Sequence, residues 1–357
     1  MSGVFNMETS HSENDANRRR EEARGESSEE EFPCHVLAIS NHWHAKKNNV
    51  AAGIFVDRQL LSLKDVGVRI STLDVGTRHS PARLLENWLK VRCITKQLCP
   101  DIIHAQYGTV VALLSVSAGK PSIISFCGAD LLPSASVSFP RRFLGFLLSN
   151  VAALFAKRVI CKSEGLKKAL WWRHRRATVI PSGVDLNLFS PGSQDDARKE
   201  LGWPIGPPTA LFSVGGDAKI KGLQLVEAAM KVVRSKIANA DLRIISNVDP
   251  VEMPLYYRAA DVLLFASTAE GSPNVIKEAL ACNLPIVSTA VGDVPQRLAH
   301  VEPSAVVPRD PKLFAAAIVK ILMTRQRSNG REHAANFSQE NIARQILQVY
   351  KSVLRPT

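Results

Sequence analysis

From Cys34 onward the chain alternates short β-branched runs with longer amphipathic stretches, and it does so twice. The first series reads CHVLAIS, a helix over 55–64, GVRISTL, a helix over 84–98, DIIHA, a helix over 110–116 and PSIISF. The second reads TALFSV, a helix over 222–237, DLRIIS, DVLLFAS, a helix after Pro273, PIVST and SAVVP. Parallel strands need a crossover helix between them, so this alternation implies parallel sheets wrapped by helices. Two doubly wound, Rossmann-like α/β domains are expected, and 357 residues suffice for both cores. Between the series lies VIPSGVDLNLFSPGS, where Pro181, Gly183, Pro191 and Gly192 interrupt regular structure. The expected division is therefore 33–185 and 186–339, with a ligand cleft facing the carboxyl ends of the strands. A final amphipathic helix, 340–357, carries Ile342, Ile346, Val349, Tyr350 and Val353 on one face and must dock on the folded part. Residues 1–32, with four arginines against nine acids, lack apolar periodicity and read as a charged, disordered tail.

Charge separates the halves. The net charge is +12, yet 33–185 holds 21 Lys and Arg against 8 Asp and Glu, whereas 186–357 holds 20 against 16. The first domain is the one suited to an anionic surface or acceptor. The six cysteines form no CxxC pair and no zinc-spaced Cys/His cluster, so neither a disulfide framework nor a metal is expected. The N-terminus is unlike a secretory signal, and the stretch 143–156 is too short and too interrupted to span a bilayer. A cytoplasmic protein, soluble or seated on a surface, is expected.

The segment 269–287, AEGSPNVIKEALACNLPIV, concentrates the chemistry. Ser272 suits an N-cap and Pro273 the first helical position, which would aim the amides of Asn274 and Val275 outward as an anion site. Glu278 shares their helix face and Glu270 precedes the helix, so two carboxylates flank the anion site. A nucleotide sugar presents the matching groups: sugar hydroxyls, diphosphate and ribose hydroxyls. This segment resembles the Glu-x7-Glu motif of retaining glycosyltransferases of family 4 (glycosyl transferases group 1). That resemblance implies the GT-B architecture, in which two Rossmann-like domains face a cleft and the C-terminal helix crosses back. It also implies that Glu270 holds the donor sugar and Glu278 the ribose.

Three further segments carry the resemblance. FSVGGDAKIKG, 212–222, resembles the family's phosphate loop, with Gly215 opening the turn and Lys221 matching the family lysine. Gly216 stands where an arginine is usual, so Lys219 is the candidate substitute. In NNVAAGIFVDRQ, Gly53 matches a glycine that admits the donor phosphate. In SFCGAD, Cys127 occupies the place of a histidine beside the reacting sugar; it enters the catalytic set by position, while no neighbouring feature would depress its thiol pKa. His104, at a strand end, reads as a structural group before a base, and His42 and His44 lie where acceptor contacts are plausible.

The stretch 141–176 holds ten bases against Glu164, interleaved with Phe143, Phe146, Trp171 and Trp172, a combination suited to anionic lipid. No RNA-reading motif accompanies it, which disfavours nucleic acid. The resemblance implies transfer of a sugar from a nucleotide donor to an acceptor hydroxyl with retention, without metal or cofactor, on a lipid-linked or glycan acceptor of the cell envelope or an exopolysaccharide. The competing reading is a non-catalytic sugar-nucleotide- or lipid-binding accessory protein of the same fold.

Overall fold

The computed structural model describes residues 34–41, 53–76, 80–128, 130–131, 138–172, 176–215 and 218–355. The charged segment 1–32, His42, His44, Gly216 and the side chain of Lys219 lie outside them. Six strands build a first parallel sheet: β1 (Cys34–Ser40), β2 (Val68–Asp74), β3 (Ile102–Gln106), β4 (Ser122–Phe126), β5 (Arg158–Cys161) and β6 (Ala177–Val179), in the order β2-β1-β3-β4-β5-β6. Helices α1 (Ile54–Asp65), α2 (Pro81–Leu98), α3 (Thr109–Val116), α4 (Phe139–Phe155) and α5 (Glu164–Lys168) make the crossovers. Every residue of β1, β3 and β4 is buried, as central parallel strands covered on both faces require.

Helix α6 (Gln194–Glu200) leads into the second parallel sheet: β7 (Thr209–Ser213), β8 (Asp241–Ile245), β9 (Val262–Phe265), β10 (Ile286–Thr289) and β11 (Ala305–Val307), ordered β11-β10-β9-β7-β8. Its helices are α7 (Ala218–Lys221), α8 (Leu223–Lys236), α9 (Met253–Ala259), α10 (Asn274–Ala281), α11 (Val294–Leu298) and α12 (Pro311–Thr324). The expected α/β, two-sheet architecture is observed. Strands β5 and β6 are additions to the sequence reading. Each is short and flanked by basic residues, so its own pattern is too brief to stand out and only pairing, of β5 with β4 and of β6 with β5, makes it a strand.

A short helix α13 (Gly330–Ala334) and a 3-10 turn at Ala335–Phe337 return the chain toward the first sheet, and α14 (Gln339–Leu354) closes it. Ser338 caps α14 by accepting from the Asn341 N–H. The face carrying Ile342, Ala343, Ile346, Leu347, Val349 and Tyr350 is buried, and α14 packs on α1. The Tyr350 hydroxyl lies 2.7 Å from His104 Nδ1, whose Nε2 lies 2.8 Å from Ser125 Oγ. His104 is fully buried, and burial lowers its pKa to about 3, so it is a neutral structural link between the last helix and β3–β4. The second sheet has its own buried anchor: Arg198 on α6 donates to Asp261 at 2.8 Å, with side-chain exposures of 2% and 1%. Asp261 also accepts from the Thr209 amide that opens β7.

Candidate active site

In the second sheet β7 connects to β8 on one side while β9 lies on its other side, so the strand order reverses between β7 and β9. Loops leaving neighbouring strands diverge at such a point and leave a crevice at the carboxyl ends. Both candidate segments sit there, one after β7 and one after β9.

After β7, the segment containing Gly215 leads into α7, which carries Lys219 and Lys221. Gly222 then caps α8 in the left-handed region with φ 79°, and an added Cβ would stand 2.2 Å from the Ala266 carbonyl oxygen. Only glycine allows the β7 and β9 loops to approach this closely. The approach brings Lys221 Nζ to 2.6 Å from Glu270 Oε1, with the ammonium 6.0 Å from the Phe265 ring centre. The two side chains are 24% and 19% exposed, enough for a ligand to reach both.

After β9, α10 begins at Asn274 rather than at Pro273, and Ser272 does not cap it. Pro273 stays extended as the N-cap residue, while Ser272 Oγ lies 3.4 Å from Lys277 Nζ. No side chain caps the helix, so its first amides, those of Asn274 and Val275, remain available as an anion site. Asn274 Oδ1 is buried without a protein partner. With Ser213, Gly215, Ser246, Tyr257, Val275 and Glu278 it lines a cavity of about 330 Å³. Glu278 Oε2 accepts from the Tyr257 hydroxyl at 3.1 Å, and Oε1 from Arg58 at 3.2 Å. Burial pushes the Glu278 pKa up, and Arg58 and Tyr257 oppose the rise.

The first sheet closes the site from the other side. Gly53 stands at the N-cap of α1 with φ 81°, and Ile54 and Phe55 enter the same cavity wall as Glu278. The Glu270–Gly271 turn rests on the end of β4: a Cβ at Gly271 would lie 3.3 Å from the Cys127 carbonyl oxygen. Cys127 thus lies beside the Glu270 turn. Its thiol, directed at the Ser125 carbonyl at 3.6 Å, has its pKa pushed up by burial and by Asp130, so it is a neutral thiol and not a nucleophile. Asp130 accepts from the amides of Gly108, Cys127 and Gly128 at 2.7–3.0 Å. It ties the β4 loop to the β3 loop, where Tyr107 and Thr109 take positive φ values of 103° and 56°. Left-handed backbone at non-glycine residues is strained and persists where surroundings enforce it.

Of the residues that sequence reasoning brought to one cleft, Gly215, Asn274, Val275 and Glu278 line one cavity, Lys221 and Glu270 pair with each other after β7 and β9, and Gly53 stands at the start of α1, next to Ile54 of that cavity wall. It missed Arg58, Tyr257 and Asp130. Each sits in a run whose local pattern is ordinary, and only the fold turns it toward the site. One base of 141–176 departs from the surface reading: Lys162, which follows β5, is 2% exposed and donates to Gln59 Oε1 at 2.7 Å. The start of α4 is exposed, with Phe139 and Phe143 stacked at 6.4 Å and 67% and 52% exposed, Arg142 over Phe139, and Trp171 against Phe146. Among the described residues, no helix is long and apolar enough to cross a membrane.

Comparisons with known proteins agree with this geometry. Residues 35–188 match the model of Glycosyltransferase Family 4, and residues 209–324 match that of Glycosyl transferases group 1. A D-inositol 3-phosphate glycosyltransferase 1 of Catenulispora acidiphila is 28% identical over 306 residues, covering 71% of this chain and 72% of that protein. A D-inositol 3-phosphate glycosyltransferase of Segniliparus rotundus is 32% identical over 216 residues, 51% of this chain and 48% of its own length. Sucrose-phosphate synthase from Thermosynechococcus elongatus shares the fold with a TM-score of 0.73 at 20% identity, covering 91% of this chain and all of that one. Anabaena Alr3699/HepE, solved in complex with UDP-glucose, does so with a TM-score of 0.67 at 17% identity over 89% of this chain and all of that one.

Proposed function

We propose, from the premise that this chain belongs to the family 4 (group 1) glycosyltransferases, that it moves a sugar from a nucleotide-sugar donor to an acceptor hydroxyl with retention of anomeric configuration. The observation that carries the reading is that the Lys221–Glu270 pair and the cavity lined by Glu278 and the N-terminus of α10 both follow β7 and β9, the two strands between which the second sheet's order reverses. In this reading Glu278 accepts the ribose hydroxyls, Glu270 orients the sugar hydroxyls, and the diphosphate lies between them. Lys221, with Lys219 as its companion, and the Asn274 and Val275 amides meet the negative charge that grows on the departing diphosphate as the bond to the anomeric carbon breaks. Lys221 already lies against Glu270, so one ammonium serves both halves of the donor. The cation that the phosphate loop lacks at Gly216 is supplied from these side chains and the helix terminus, and the reaction proceeds without a metal.

The acceptor belongs on the first-sheet side, facing the Cys127–Asp130 loop and the strained Tyr107–Thr109 turn. A lipid-linked or glycan acceptor of the cell envelope fits the basic first domain, with α4 resting on the anionic inner face of the membrane through Phe139, Phe143 and its arginines. The test is incubation of the protein with individual nucleotide sugars, scoring nucleotide release with and without lipid acceptors. Release from one donor, faster with acceptor, is expected. Binding of nucleotide with no release under any acceptor would refute the catalytic reading.

A further inference from the structure

Of the groups lining the nucleotide cavity, Glu278 is the one whose charge is least secure, because burial favours its neutral form. The groups that face it are Arg58 from α1, Tyr257 from α9, Lys277 on its own helix and the Cys282 thiol at the helix end. Lys277 is itself buried, its pKa lowered to about 7, and its ammonium donates to the Ser182 carbonyl at 2.8 Å. Tyr257 is neutral, since burial and Glu278 both raise its pKa. That leaves Arg58 as the permanent cation in contact with the carboxylate, at 3.2 Å.

The guanidinium is not a loose surface group. It lies 5.4 Å over the ring of Phe189, a fully buried residue of the segment linking the two sheets, and Phe189 in turn packs on Tyr257 at 6.1 Å. Arg58 and Glu278 are 17% and 15% exposed. Arg58 takes one lone-pair direction of Oε1 and Tyr257 takes one of Oε2. A carboxylate oxygen has two such directions, so one on each oxygen is left for a ligand hydroxyl. The spacing suits a vicinal diol. A protonated Glu278 would lose one of these acceptors.

We propose that Arg58, reaching from the first sheet's helix α1, is a positioning residue of the nucleotide site, holding Glu278 ionised and aimed so that both its oxygens accept from the ribose diol. The proposal rests on the reading of Glu278 as the ribose carboxylate. It also means that the nucleotide site is built from both sheets, since the partner of the second-sheet carboxylate comes from the first.

The test is titration calorimetry with uridine, guanosine and adenosine diphosphates to find the tightest ligand of the wild type, then a series from about pH 5.5 to about pH 8.5 with wild type, R58Q, R58K and E278Q. R58Q is expected to bind about tenfold more weakly near neutral pH, having lost a charge-assisted interaction. Removing the cation raises the Glu278 pKa further, so R58Q loses affinity on acidification at a higher pH than wild type, and the gap narrows in base. R58K, which keeps the charge, retains the wild-type midpoint. R58M, which keeps the aliphatic stem over Phe189, serves if R58Q does not fold. Weak binding by E278Q together with wild-type affinity and midpoint in R58Q would overturn the role of Arg58 alone. Wild-type binding by E278Q, or binding of none of the three nucleotides to wild type, would overturn the ribose reading and this inference with it.

Discussion

Replacing Lys221 by methionine separates a structural role from a functional one. Lys221 and Glu270 are 2.6 Å apart, but both remain about one-fifth exposed. An ion pair that wet contributes about 0–1 kcal/mol to folding. For a chain of this size that corresponds to a fall in melting temperature of no more than about 2–4 °C. In the transition state the same ammonium faces a diphosphate whose negative charge is increasing. Loss of one preorganised donor to developing charge costs about 100- to 1,000-fold in rate. K221M is therefore expected to melt within a few degrees of wild type while nucleotide release in the donor assay falls by at least about 100-fold. K221R, which keeps the charge, should recover part of the loss. Thermal melts and initial rates on the same preparations decide the matter. A rate within about tenfold of wild type would refute the placement of Lys221 on the diphosphate. A large drop in melting temperature in step with the rate would refute the premise that the pair is only a minor structural contact.

Three further outcomes follow from the packing. Arg198→Met leaves Asp261 buried with its best cation removed, and urea denaturation should show a loss of about 3–5 kcal/mol; less than about 1 kcal/mol would mean that the pair is not closed in solution. Gly222→Ala combines a φ of 79° with a Cβ 2.2 Å from the Ala266 oxygen, so a destabilisation of at least about 2 kcal/mol is expected, and donor affinity should fall because the Lys221 turn must shift. His104 is depressed to about 3 in the fold against 6.5 in the open chain, so it contributes stability above pH 6.5 that is lost as acidification approaches pH 3; an H104Q variant should show a flatter stability profile across that window, and an unchanged profile would refute the buried neutral assignment.

The two-sheet plan was legible because buried parallel strands are near-continuous apolar runs, and those of β1, β3, β4, β7 and β9 announce themselves. Strands β5 and β6 did not, because three or four residues beside a basic stretch carry too little pattern. The capping of α10 shifted by one residue, since Ser272 faces Lys277. Lys162, by its neighbours a surface cation, is instead buried against Gln59.

Spacing set Asn274, Val275 and Glu278 on one helix face with Glu270 in the loop before it, because helical and strand periods are local properties of the chain, and the resemblance added Lys221. The contacts that give those residues their chemistry are not local. Arg58 meets Glu278 across 220 positions, Lys221 meets Glu270 across 49, and Tyr350 meets His104 across 246. Charge state, aim and exposure depend on what packs around each group. That was decided when the two sheets and the returning helix came together, and the neighbouring letters carry no trace of it.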